Sequence, residues 1–342
     1  MTVSVVIPNW NQRELLVSAL RSIQALHKPA DCIIETIVVD NASIDGSAEA
    51  AEDLGATVLR QGSNLGVSRA FNAGIAAASG EYVALVNNDV ELSEDWLERL
   101  LEALGSGGWF AAGKSLDWSD RSRIDGAGDA VCRGGAAWRL GHGRADGPEF
   151  EQRRKTFFPS ATATLFRKTF FERAGGFEEA FFAYLEDVEL GVRAAAAGME
   201  GVYEPAARAY HRGSVTGVRW SAQMVRWMTA HQILLLAKHY PARLLLRFAR
   251  PIAAAQLLWG AMSVSRGRGA AWILGLFDGV RGWRTMRRSL SRVEGRDGSS
   301  SRLAKALEAA EGEIVRIQRA TGWDGYWKWY CRLAWPPAQE RA

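Results

Sequence analysis

Along the first hundred residues the apolar positions switch between two periods. Val3–Ile7 is a short run of β-branched residues, the pattern of a strand buried on both faces. From about Glu14 to Leu26 the apolar positions recur at helical spacing. Ile33–Val39 predicts a second strand with Asp40 at its C-terminal end, Ser47–Leu54 a helix and Thr57–Leu59 a short strand. Ser68–Ala78 reads as a small-residue helix and Tyr82–Val86 as the next strand. Strand and helix in alternation predict an α/β class, a mostly parallel sheet covered on both faces. In such sheets ligands bind beyond the C-terminal strand ends, so the polar residues there are the ones to read.

Further along, Lys114–Lys155 is rich in Gly, Arg and Asp and weakly periodic, and is expected to be irregular and partly mobile. Thr162–Phe166 predicts a strand, Val188–Ala197 a helix ending at Gly198, and Gly201–Tyr203 and Arg208–Tyr210 two short strands. After His211 the pattern changes. Pro251–Ser265 has no charged residue, but its 15 positions fall short of the ~20 that a bilayer span needs. Arg243, Arg247 and Arg250 flank it on one side, Arg266 and Arg268 on the other, with Trp220, Trp227, Trp259, Trp272 and Trp283 spread through the region. Arg and Trp alternating with Leu and Ala suit helices lying in a membrane interface. The alternative is a helical appendage that packs on the body and leaves its arginines in water. The tail cluster of Trp323, Tyr326, Trp327, Trp329, Tyr330 and Trp335 is open to the same two readings.

Charge sharpens the first of them. The chain of 342 residues has a net charge of +4, which hides an asymmetry. Between Arg212 and Arg292 stand thirteen Arg and one Lys against a single acid, Asp278, a local +13 that leaves −9 for the remainder. Such unopposed positive charge suits anionic lipid headgroups. No nucleic-acid-binding module accompanies it, so nucleic acid is not expected as a partner. Three distant cysteines, Cys32, Cys132 and Cys331, offer neither metal-ligand spacing nor a disulfide framework, which points to a reducing compartment. The opening Met1–Pro8 lacks a basic segment and a long apolar one, so it reads as a strand rather than a signal peptide.

Four polar clusters follow the predicted strands: Pro8-Asn9-Trp10-Asn11, Asp40-Asn41-Ala42-Ser43-Ile44-Asp45-Gly46, Asn64-Leu65-Gly66 through Asn72-Ala73-Gly74, and Asn87-Asn88-Asp89. Each alone is ordinary turn or helix-cap chemistry. Turn chemistry does not account for all four at successive strand ends. With VSVVIPNWN, ETIVVDNASIDGS, NLGVSRAFNAG, YVALVNNDVEL, GGFEEAFFAYLEDVELGVRAAAAG and YHRGS, the chain resembles the family 2 glycosyltransferases of the GT-A type, particularly their rhamnosyltransferase-like branch. The resemblance runs from Val3 to His211, about two-thirds of the chain.

The resemblance implies a GT-A nucleotide-sugar-binding sheet over residues 1–213, and the pattern and charge after it read as a mainly helical, basic extension over 214–342. Pro8 and Asn9 would lie against the nucleobase and ribose, joined in donor binding by Trp10, Asn41, Gly66, Asn72, Asn87 and Asn88. Asp40 would accept the imide N–H of uracil or thymine, a donor that a carboxylate matches. Asn64 and Arg69 would flank the nucleotide, with Arg69 in reach of a phosphate. Asn87-Asn88-Asp89 stands where many relatives carry Asp-x-Asp, so Asp89 is left as the direct ligand for Mg2+ or Mn2+, with His211 as the second. Such ions fill the rest of their shell with water and substrate phosphates, and they stabilise charge on the departing diphosphate. Asp187 would be the general base that takes the proton of the acceptor hydroxyl in one inverting displacement, its pKa raised by Glu186 and Glu189. Glu186 would position the acceptor. Gly175-Gly176-Phe177 and Phe181–Tyr184 would wall the sugar.

The expected reaction is sugar transfer from a nucleoside diphosphate, with dTDP-rhamnose favoured by the branch and UDP-galactose or UDP-N-acetylglucosamine as alternatives. The expected acceptor is a lipid-linked saccharide of a bacterial surface polysaccharide, met at an anionic membrane on its cytoplasmic face. A sugar-nucleotidyltransferase would need a Gly-rich, cationic loop where Pro8–Gln12 stands, and an oxidoreductase a G-x-G-x-x-G turn that is absent. A non-catalytic nucleotide-sugar-binding membrane protein finds support in Asn87, but Asp89, Asp187 and His211 argue against it.

Overall fold

Val3, Val5, Val6 and Ile7 have no solvent exposure, as a strand covered on both faces requires. In the computed structural model, which describes residues 1–213, 220–289 and 298–335, they form the centre of a mixed sheet. Residues 214–219, which follow the predicted domain junction and include Ser214 of the YHRGS motif, lie outside the described residues, as does Arg292. The strands β1 (Thr2–Asn9), β2 (Ile33–Asp40), β3 (Thr57–Arg60) and β4 (Tyr82–Val86) are parallel, in the order β4-β1-β2-β3. After β5 (Val90–Leu92), β6 (Phe110–Asp117) and β7 (Ile124–Gly126) comes a separate hairpin of β8 (Asp129–Val131) and β9 (Ala137–Arg139). Then β10 (Arg154–Thr156), β11 (Ala163–Arg167) and β12 (Gly201–His211) complete the sheet in the order β10-β12-β6-β11-β4-β1-β2-β3. Because β11 runs antiparallel to both its neighbours, β4 and β6, this half is mixed rather than mostly parallel. Apolar periodicity reports burial, not strand direction, and could not foresee that.

Contacts divide the chain into two units: Met1–Asp129 with Gly141–Gly191 and Met199–Thr216, and Ala130–Leu140 with Val192–Gly198 and Gly217–Ala342. In the first, α1 (Arg13–Gln24), α2 (Ser47–Asp53), α3 (Val67–Ala77), α4 (Trp96–Gly105), α5 (Lys168–Ala174) and the start of α6 (Glu186–Ala197) accompany the sheet. Leu16, Leu20 and Ile23 of α1 and Trp96, Leu97, Leu100 and Leu104 of α4 share one buried core with Val3, Val5 and Ile7.

Two expectations are corrected here. Gly201–Tyr203 and Arg208–Tyr210 belong to one strand, β12, with an irregularity between Glu204 and Arg208. Pro205 lies inside it and has no N–H for the ladder, which is why the register must shift there. Lys114–Lys155 is ordered: Ile124–Cys132 is buried throughout, and fully buried Lys114 pairs with Asp146 (2.9 Å) and Glu151. Strands of three residues are too short to leave a periodic signal.

The second unit holds α7 (Ala222–His239), α8 (Ala242–Arg247), α9 (Ala249–Ser265), α10 (Gly269–Arg288), α11 (Ser299–Thr321) and α12 (Gly325–Ala334), with the run Thr229–Tyr240 buried and α10 packed along α7. Gly275, Gly279 and Gly282 let α10 approach α7 closely, in the small-residue manner of tight helix pairs. A Cβ at Gly275 would lie 2.5 Å from the Arg226 carbonyl oxygen, a backbone atom that cannot swing aside. Gly275→Ala should therefore cost about 1–3 kcal/mol, read as a lowered urea midpoint; an unchanged midpoint would mean the helices separate freely. The aromatic tail docks partly within this unit, with Trp327 and Tyr330 buried and Trp323 and Trp329 exposed. Among the described residues no helix is long and apolar enough to cross a membrane.

Candidate active site

The C-terminal ends of β1 and β2 lie in register, Asn9 opposite Asp40, and both side chains are buried. Asn9 Nδ2 donates to Asp40 Oδ1 (3.4 Å) and to Ser43 Oγ (3.2 Å), and the Ser43 amide donates to Asp40 Oδ2 (3.1 Å). The loops after the two strands lock each other: the Asn11 amide donates to Ser43 Oγ (2.7 Å), and the Ile44 amide to Asn11 Oδ1 (3.0 Å). Asn11, Gln12 and Ala42 all take positive φ (58°, 65° and 62°), a strained state that surrounding bonds must hold and that gathers at functional sites. Pro8 is half-buried, and Trp10 lies exposed beside these loops.

Asn41 reaches across to the third cluster, its Nδ2 donating to the Gly66 carbonyl (3.4 Å), while the Gly66 amide donates to Asn64 Oδ1 (3.0 Å). Asn41 Oδ1 is buried with no hydrogen-bond partner among the described residues, an acceptor waiting for a donor. Gly66 (φ +86°) is required where it stands, because a Cβ would fall 2.5 Å from the Phe182 carbonyl oxygen. Arg69 and Asn72 are engaged within the protein. Arg69 Nε pairs with Glu179 (2.9 Å) at the surface, and Asn72 clamps the Phe177 backbone through its carbonyl (3.0 Å) and its amide (2.7 Å).

The fourth cluster joins the first and extends it. Asn88 Nδ2 donates to Asn9 Oδ1 (2.8 Å), and the Asn87 amide donates to the Thr162 carbonyl (3.0 Å). Next to them Asp89 Oδ1 lies 3.3 Å from His211 Nε2, held there by the Arg212 amide donating to the Asp89 carbonyl (3.0 Å). The other imidazole nitrogen, His211 Nδ1, is 2.8 Å from Asp125 Oδ2. Burial opposes a charge on His211, yet the bonds to Asp125 and Asp89 outweigh it and hold the pKa up at about 9. Asp125 is the site residue that sequence reading missed. It lies in the stretch expected to be irregular, 86 positions from its partner, and carries no local signal.

Metal chemistry fits this pair in part. Ligand bonds of ~2.1 Å at right angles put neighbouring donors about 3 Å apart, close to the observed separation of carboxylate oxygen and imidazole nitrogen. A metal-binding histidine commonly bonds a carboxylate through its other nitrogen, which fixes the ring's orientation and tautomer. Among the described residues no group of three or more His, Cys, Asp or Glu is arranged to hold an ion, so substrate oxygens and water would have to complete the shell.

Asp187 lies inside the first turn of α6 rather than at its cap, because the helix already begins at Glu186. Its Oδ1 accepts the Val188 amide (2.8 Å) and its Oδ2 the Ala161 amide (3.2 Å). Tyr184 and Leu185, immediately before the helix, are again at positive φ (69° and 65°). Phe177 and Phe181 are buried, Phe177 stacked on Phe71 at 5.1 Å, so they cannot meet a sugar ring as expected. Half-buried Phe182 and Tyr184 remain for that wall.

Compared with known proteins, the chain matches the sequence model described as glycosyl transferase family 2 over residues 4–175, and that of glycosyl transferase family group 2 over residues 142–284. It is 30% identical over 231 residues to the uncharacterized protein y4gI of Sinorhizobium fredii, covering 63% of this chain but only 25% of that one. It is 29% identical over 234 residues to the N-acetylglucosaminyl-diphospho-decaprenol L-rhamnosyltransferase of Mycobacterium tuberculosis, which is 60% of this chain and 76% of that enzyme. Among solved structures, the mannosyltransferase PcManGT from Pyrobaculum calidifontis in complex with GDP-Man and Mn2+ matches with a TM-score of 0.52 at 17% identity, over 96% of this chain and 86% of that one. GalNAc-T7 with UDP, GalNAc and Mn2+ matches with a TM-score of 0.61 at 13% identity, over 94% and 58%. Likeness at such identities speaks to the fold alone, and the fold is the GT-A arrangement.

Proposed function

From the premise that this chain belongs to glycosyl transferase family 2, we propose that it transfers a sugar with inversion from a nucleoside-diphosphate donor, best dTDP-rhamnose, to a lipid-linked saccharide in polysaccharide synthesis. One observation carries the reading. A run of bonded and adjacent residues leads from Asp40 through Asn9 and Asn88 to Asp89, His211 and Asp125. It joins a buried carboxylate suited to an imide N–H to a carboxylate–imidazole pair suited to a cation. Base and diphosphate of one donor could thus be read along this one line of residues at the strand ends.

In this scheme Asp40 accepts the base imide, and Asn41 Oδ1 takes a donor from the nucleotide. An exposed ion pair such as Arg69–Glu179 is worth under ~1 kcal/mol, so a phosphate can draw Arg69 away. Mg2+ or Mn2+ held by Asp89 and His211 would neutralise the charge that gathers on the leaving diphosphate. Asp125 fixes the imidazole with Nε2 toward Asp89. Asp187 removes the acceptor proton as its oxygen attacks the anomeric carbon. Rhamnose and a lipid-linked acceptor are supported by the name of the mycobacterial relative, an N-acetylglucosaminyl-diphospho-decaprenol L-rhamnosyltransferase. Since thymine and uracil share the imide, Asp40 does not separate dTDP from UDP donors. A site on the cytoplasmic face of a membrane suits a lipid-linked acceptor.

A donor panel tests the proposal: dTDP-rhamnose and several UDP-sugars with Mg2+ or Mn2+, following binding and nucleoside-diphosphate release. Turnover of one donor that depends on metal and on Asp89 is expected. Asn41→Ala should weaken nucleotide binding about tenfold, since a buried acceptor without a partner costs ~1–3 kcal/mol that the ligand relieves. Folded protein that binds no nucleotide sugar with metal present would overturn the reading in favour of a non-catalytic role.

A further inference from the structure

Helix α10 has two opposite faces. Gly275, Gly279 and Gly282 meet α7, whereas Ile273, Leu274, Phe277 and Val280 point away from it and are exposed, Phe277 to 69% and Val280 to 66%. At 100° per residue, Ile273, Phe277 and Val280 fall on one stripe, and Arg281, Arg284 and Arg288, also exposed, continue it toward the C-terminus. The preceding helix, α9, repeats the feature with Leu257 and Val264, seven residues apart and exposed at 67% and 59%. Arg266 and Arg268 stand in the connection between the two helices. The only acid from α7 to α10 is Asp278, which is bonded to Arg226 and also feels the charge of Arg281, so the stretch stays strongly positive.

We infer that this face of α9 and α10 docks on the surface of an anionic bilayer, the apolar stripe sunk to the acyl boundary and the arginines among the headgroups. A transferase whose acceptor is lipid-linked, the reading on which this assignment rests for its purpose, has to work at such a surface. Charge decides between occupants. A second copy presenting the same face would bring like charges together, and a polyanion such as nucleic acid offers nothing for Phe277 and Val280. An anionic lipid layer satisfies both halves of the stripe, and an amphipathic basic helix lies in that interface without crossing it.

The test is sedimentation of the full chain with phosphatidylglycerol-containing and pure phosphatidylcholine vesicles, at low and high salt, without donor or acceptor. Binding to the anionic vesicles only, weakened by salt, is expected. Each arginine is worth roughly fivefold in partition, so the triple change Arg281→Gln, Arg284→Gln, Arg288→Gln should lose about a hundredfold. Phe277→Ser with Val280→Ser should lose at least about tenfold, and Leu257→Ser supplies an independent variant on α9. All these positions are exposed, and thermal melting should not change. Equal vesicle binding by wild type and variants, or indifference to anionic lipid, overturns the assignment. A lipid-free dimer in sedimentation equilibrium that Phe277→Ser abolishes also overturns it, giving the face to a second copy. Nucleoside-diphosphate release in solution keeps the two readings apart. Wild-type protein that releases nucleoside diphosphate but fails to bind anionic vesicles sinks this face alone, and wild-type protein that binds them but releases none sinks the transferase reading alone.

Discussion

Asp187→Asn should slow transfer by roughly 10²–10⁴-fold, the span associated with a positioned general base, while nucleotide affinity stays within a few-fold of wild type. The carboxylate oxygens each accept a backbone amide, from Val188 and from Ala161. An amide side chain keeps one acceptor and turns the other into a donor facing an N–H. The variant should therefore also lose about 1–3 kcal/mol of stability, visible as a lowered melting temperature. Nucleotide binding is the control that separates lost chemistry from a damaged fold. Single-turnover transfer close to wild type would remove Asp187 from the role of base, whatever the stability change.

The second large effect concerns the helical unit. Glu311 is 2% exposed and accepts from five donors: the Arg133 amide (2.8 Å), Nε (3.0 Å) and Nη2 (2.6 Å), the Tyr330 hydroxyl (2.8 Å) and Trp335 Nε1 (2.6 Å). It fastens the turn of the β8–β9 hairpin to α11 and α12. The hairpin backbone is held further by the Gly134 amide donating to the Tyr330 hydroxyl (3.2 Å) and by the Tyr240 hydroxyl donating to the Arg133 carbonyl (3.3 Å). Removing one partner of a buried ion pair costs ~3–5 kcal/mol, because the other charge stays desolvated. Glu311→Ala should lose that much in denaturant unfolding, and Glu311→Gln less, since it keeps the volume and some of the bonds. Unfolding of Glu311→Ala at the wild-type midpoint would show that the hairpin is held without this network.

Local physics made much of this legible in advance. Val3–Ile7, Ile33–Val39 and Tyr82–Val86 are strands in the structure because short, largely apolar runs rich in β-branched and aromatic residues suit a covered sheet. Their polar ends could be located for the same reason: where the apolar run stops, the chain leaves the core. Asn9, Asp40 and the Asn87–Asp89 cluster were found in this way. The basic, Trp-bearing helices after His211 were equally plain, since composition and period survive in any window.

Whatever rests on long separation in sequence was decided by tertiary structure alone. Asp125 sits in a three-residue strand with no period to betray it, and only the pairing of β7 with β6 and of β6 with β12 carries it to His211. The same stretch sends its hairpin to Glu311 in another part of the chain, a bond that no local pattern encodes. Phe177 and Phe181 look like Phe182 and Tyr184 in sequence, and only tertiary burial, with Phe177 stacked on Phe71, settled which were core. Sequence periodicity fixes which face of an element leaves water. Which distant side chain meets it there is set by the sheet order and by the strained loops that close over the strand ends.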